Sequence, residues 1–135
     1  MAPDPLDFSA PAQARAELLG LEFLADFFGH AAQRKPLDLD SLSELAQILT
    51  MLGRHPEALR RDRELVRQLP DDPTAHYNLA CSLALVGHGS EALDALERAV
   101  ELGYEDGAHL AEDEDLATLR HEPRFTELLA RLEAP

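Results

Sequence analysis

Six histidines (His30, His55, His76, His88, His109 and His121), Cys81 and the run Glu112-Asp113-Glu114-Asp115 are the side chains best equipped for chemistry. Histidines and carboxylates can hold a divalent metal when helical spacing brings them together, as in two histidines four residues apart. No two of these histidines have that spacing. Four successive acids suit the first turn of a helix, where the backbone dipole favours negative charge. Cys81 sits among Ala80, Leu83 and Ala84, the setting of a small buried or groove-lining thiol rather than a nucleophile beside a base. The chain is therefore expected to be non-enzymatic, with no catalytic residue, no metal and no cofactor.

Two further groupings suit binding. Arg54, Arg60, Arg61, Arg63 and Arg67 hold five of the twelve Lys and Arg residues. Along a helix they can pair with Glu57, Asp62 and Glu64. Otherwise they form an electrostatic band for an acidic partner, including the acidic tail of a second copy of this chain. Phe23, Phe27 and Phe28 form a stripe at helical spacing, which reads as core rather than as a docking surface.

These side chains must be positioned by helices. Aromatic residues make up 5% of the 135-residue chain, Trp is absent, and Ala and Leu recur throughout. That mixture packs helices through small residues, whereas sheets lean on β-branched and aromatic side chains. Gly and Pro fall between helix-length stretches, and no segment alternates with period two, so no sheet is expected. The predicted helices cover about 12–33, 41–52, 56–69, 73–86, 90–102, 113–119 and 123–132. Ser9 and Pro11 are start signals for the first, Asp40 or Ser41 with Glu44 a capping box for the second, and Asp72-Pro73 a cap for the fourth. The length suits one compact domain.

Charge narrows the class of partner. Twenty-six acids against twelve bases give a formal net charge of −14. Nucleic acid and anionic membrane both demand a positive face, so neither is an expected partner. A single cysteine excludes an intramolecular disulfide and fits a reducing, cytoplasmic setting. No signal-like leader and no apolar run of about 18 residues stands out.

The chain also repeats itself. Laid over each other at an offset of 34, residues 39–70 and 73–104 match Leu45 to Leu79, Ala46 to Ala80, Leu49 to Leu83 and Gly53 to Gly87. Glu57 to Glu91, Ala58 to Ala92, Leu59 to Leu93 and Val66 to Val100 continue the series. Each half reads as helix, glycine turn, helix. The alanines sit where two backbones must approach closely, and the glycines end the first helix by a left-handed cap.

A 34-residue helix–turn–helix period with these small-residue slots resembles the tetratricopeptide repeat. Phe28, Ala31 and Pro36 fit the second helix of a preceding half repeat. The string EDEDLATLRHEPRFTELLARL is similar to a closing segment of small bacterial proteins with this repeat. The resemblance implies an all-α fold, a short right-handed helical-hairpin solenoid of two full repeats between N-terminal and C-terminal capping helices. The divisions are a disordered 1–10, a capping helix or half repeat 11–36, repeat 1 at 37–70, repeat 2 at 71–104 and a closing segment 105–135. Asp62 departs from the pattern, standing where the family places a large apolar residue. That junction is thus either looser or pairs Asp62 with a nearby arginine. Tyr104 replaces a terminating proline, leaving Gly103 to stop the helix.

In this family the first helices line a groove that holds a peptide or a partner helix. The matching positions are Ser43, Gln47 and Thr50 in repeat 1, and Thr74, Tyr77, Asn78 and Cys81 in repeat 2. Family members that clamp a carboxylate tail carry a Lys/Asn/Asn/Lys/Arg set. Asn78 matches one Asn, but Ser43 and Gln47 replace the first Lys and Asn, which argues against clamping. The resemblance thus implies a bacterial, cytoplasmic adaptor whose partner is a protein or peptide. A dedicated chaperone for one client and a self-assembling scaffold element, with a homodimer as partner, are the alternatives.

Overall fold

A computed structural model describes residues 12–133, and every regular element within them is helical. The elements are α1 (Ala12–Arg34), α2 (Leu39–Met51), α3 (His55–Gln68), α4 (Pro73–Leu85), α5 (Gly89–Glu101), α6 (Gly107–Glu112), a 3₁₀ segment (Glu114–Leu119) and α7 (Pro123–Glu133). The all-α expectation holds, and no strand occurs among the described residues. The expected disorder of 1–10 and the start signals at Ser9 and Pro11 lie outside them.

The 34-residue period reappears as helix boundaries. Leu39–Met51 and Pro73–Leu85 are offset by 34 at both ends, and so are the starts of α3 and α5. Three glycines carry positive φ, Gly53 at 75°, Gly87 at 87° and Gly103 at 113°. Each closes its helix in the same way. Gly87 N–H donates to the Ala84 carbonyl (3.1 Å) and His88 N–H to that of Leu83 (2.8 Å). A side chain at these φ values meets the backbone, so glycine ends the helices as the sequence implied. Asp72 Oδ1 accepts from Thr74 N–H at 2.9 Å, with Pro73 beginning α4. Helix α2 begins earlier than expected. Asp38 is its cap, accepting from Ser41 N–H at 2.8 Å, so the Ser41–Glu44 capping box does not form.

Two compact units divide the chain, Met1–Arg61 and Asp62–Pro135, rather than the single domain its length suggested. Repeat chains bury each hairpin against its neighbours only, so a single shared core is not required. In the first unit α1 packs on α2, and Leu18, Ala25, Leu45, Ile48, Leu49, Leu52 and Ala58 form the core. In the second unit α4 and α5 form a tight hairpin, with Ala80 and Ala92 fully buried as the small-residue slots require. The closing segment packs on that hairpin through its 3₁₀ segment and α7, and its Leu110, Leu116, Leu119, Phe125 and Leu128 are buried. Its helix α6 has no counterpart among the predicted helices. Gly107 lets α6 approach α7, since a Cβ there would lie 3.2 Å from the Leu132 side chain.

Candidate functional site: an exposed apolar face on helix 1

Helix α1 carries apolar residues on two faces. Leu18 and Ala25, seven apart, point into the core, and Leu21 and Phe28 pack against it. At 100° per residue, Leu19, Phe23 and Phe27 fall on a separate stripe. That stripe is not core. Phe23 is 68% exposed, Phe27 58% and Leu19 53%, with Leu24 beside them. Phe23 stacks on Phe27 with ring centroids 6.4 Å apart, and Phe27 meets Phe28 edge-on at 5.8 Å. Met51, 65% exposed, extends the patch from the end of α2. The expectation of a buried phenylalanine stripe is corrected for Phe23 and Phe27, because helical spacing marks a face as apolar without saying what covers it.

The groove positions are divided between the units. On α2, Gln47 is exposed, Ser43 is half-buried, and the Thr50 hydroxyl donates to the Ala46 carbonyl of its own helix at 3.1 Å. On α4, Thr74 is exposed and Asn78 half-buried, but Tyr77 and Cys81 are buried. They face the closing segment instead of open space. Tyr77 Oη donates to Asp113 Oδ2 at 2.6 Å, and Cys81 Sγ lies 3.7 Å from the same oxygen. The Tyr77 ring stacks on Tyr104 (4.5 Å, 6°) and tilts against His109 (5.6 Å). Burial, then the Asp113 and Asp115 charges, push the Cys81 thiol far above its ordinary range. That keeps it protonated and a poor nucleophile. Cys81, Asp113 and Asp115 bring ligand atoms within 4.8 Å of one another, a grouping the histidine spacing gave no hint of. Asp113 Oδ2, however, is already the acceptor for Tyr77.

The arginine band is partly paired. Arg54 forks onto Glu57 at 3.0 and 2.7 Å and reaches Glu22 at 3.5 Å and Asp26 at 3.8 Å. Arg63 pairs with Glu91 of α5 at 3.2 Å rather than along its own helix. Arg61 is half-buried, and Arg60 and Arg67 are exposed. Asp62 does not pair with an arginine. It is buried and accepts from the Ser82 hydroxyl at 2.5 Å.

Residues 15–122 match the family described as the bacterial transcriptional activator domain. The chain belongs to that family. In this bacterial transcriptional activator domain the match takes in α1's exposed face, both 34-residue hairpins and the start of the closing segment. One similar protein is a chloroplastic protein from Arabidopsis thaliana, 34% identical over 84 residues. The alignment covers 60% of this chain and 25% of that protein, so the chain spans about a quarter of its relative's length. No described helix is long and apolar enough to cross a membrane.

Proposed function

We propose that this domain is a non-enzymatic protein-binding module of the tetratricopeptide type, an adaptor that docks a partner protein onto the outer face of α1. The observation that carries the reading is the row Leu19, Phe23 and Phe27, each more than half exposed, continued by Met51. Large apolar side chains gathered in one exposed patch favour association, because covering them removes apolar surface from water. The tetratricopeptide assignment is supported by helix boundaries that repeat at 34 and by buried alanines at 46, 58, 80 and 92.

The family's description brings transcription, and therefore DNA, into consideration. A net charge of −14 favours a role in which this chain contacts protein and leaves any DNA contact to another element. The groove version of the reading is weakened on α4, where the closing segment covers Tyr77 and Cys81. Thr74 and Asn78 remain accessible there.

Photo-crosslinking tests the proposal. A benzoyl-phenylalanine placed at 23 or 27 of the full chain, expressed in its native cells, is expected to trap a discrete protein partner. The same group at exposed Glu101 is expected to trap none. Equal trapping at all three positions, or none at 23 and 27, sinks the α1 site.

A further inference from the structure

We infer that the element seated on the α1 face is a cationic amphipathic helix; this deepens the docking reading above and rests on it. The shape of the surface comes first. Phe23 and Phe27 form a ridge, and beside it runs a trough lined by Glu17, Gly20, Leu21, Leu24 and Met51. Gly20 leaves that trough open, since a Cβ placed there meets nothing within 4 Å. A ridge next to a groove is the relief that helix-on-helix packing uses.

Backbone chemistry selects a helix over an extended peptide. The interior of α1 has its N–H and C=O groups committed to its own ladder, so it offers an incoming strand no main-chain partners. A helix arrives with its backbone already satisfied and needs to match only side chains.

Charge then selects the sign of the partner. The patch is bordered by Glu17 at the trough and by Glu22 and Asp26 on the flank of α1. Arg54 is ion-paired with Glu22 at 3.5 Å and Asp26 at 3.8 Å as well as with Glu57, so one base there stands against three acids. Residues 1–61, the unit that contains α1, hold six bases against nine acids. A second copy would bring the same acids against these, a juxtaposition that disfavours pairing. Lys and Arg flanking an apolar row complement both the ridge and its acidic border.

The test uses the full chain and two labelled helical peptides of about 15 residues. Both carry leucines on one face; one has lysines on the other face and its counterpart has glutamates. Fluorescence anisotropy is expected to show the lysine peptide binding at least tenfold more tightly. Phe23→Ser with Phe27→Ser should weaken it at least tenfold while circular dichroism stays unchanged, since both rings are exposed. Glu22→Gln with Asp26→Asn should weaken it severalfold and flatten its salt dependence. Equal binding of the glutamate peptide overturns the charge assignment, and so does lysine-peptide binding that survives loss of both phenylalanines. A dimer in sedimentation that Phe23→Ser dissolves makes a second copy the occupant and overturns it too. If crosslinks at 23 and 27 persist while the peptides fail to discriminate by charge, the inference falls and the docking reading stands. Loss of the crosslinks removes both.

Discussion

Asp62 occupies a position where an apolar side chain would pack between helices, and its carboxyl is held in the protein instead. Burial raises its pKa from 3.8 to about 6, against the opposing effect of the Ser82 hydrogen bond. The folded state therefore holds this proton more tightly than the unfolded chain does. That contribution to stability is complete below about pH 4 and is lost as pH rises through about 6. The difference across the window corresponds to about 3 kcal/mol. Asp62→Asn, which keeps an acceptor for Ser82, should be more stable than the parent near neutral pH by up to that amount. Urea melts of both proteins from pH 4 to 7.5 check it, and parallel pH profiles would count against a buried, titrating Asp62. Tyr77 gives a second residue-scale expectation. Tyr77→Phe removes a donor from Asp113 and should cost about 1–2 kcal/mol. It should also loosen the segment over Cys81, so the thiol should react faster with an aromatic disulfide reagent. Unchanged labelling would mean that this hydrogen bond does not hold the segment down.

Among the elements, the glycine-closed helices were the most legible in the sequence, because a left-handed cap demands one residue type at one place. Gly53, Gly87 and Gly103 all end their helices with positive φ. Replacing Gly87 by alanine should therefore destabilise by about 1–2 kcal/mol. Gly29 lies inside α1, where an added Cβ meets nothing within 4 Å. Gly29→Ala should instead stabilise by about 0.5–1 kcal/mol through the unfolded state and helix propensity. Thermal denaturation of the pair checks the opposite signs. The exposed apolar face of α1 was less legible than the helices. Spacing put Phe23, Phe27 and Phe28 on apolar faces, but two such faces exist on α1 and only tertiary packing decides which is covered. The partner of Tyr77 was hidden for another reason. Asp113 lies 36 residues further along, in a run of acids that read as a solvated helix start. In the structure it caps the 3₁₀ segment, with Oδ1 accepting from Asp115 N–H at 3.0 Å. Its other oxygen anchors the segment to α4 through Tyr77.

At the scale of the whole molecule, charge decides how membership of a transcriptional family is to be understood. Duplex DNA presents about one negative charge per 1.7 Å of axis, and affinity comes largely from Lys and Arg that release its counterions. This chain has twelve such residues against 26 acids. Arg54, Arg63, Arg98, Arg120 and Arg124 are already engaged with carboxylates, Arg124 with Asp94 at 2.5 Å and Glu97 at 2.9 Å. The chain as a whole is net negative, so a duplex would have to displace ion pairs and approach like charge. The isolated chain should therefore leave duplex DNA unshifted in a gel assay at about 150 mM salt, even at about 100 μM protein, the weak end of ordinary non-specific binding. The same field predicts that added salt raises the melting temperature, because screening relieves repulsion within the folded chain. A protein that shifted DNA and lost that affinity steeply with salt would have to gather its bases on one face. On the docking reading proposed above, the acids beside Phe23 and Phe27 are expected instead to meet a basic protein surface.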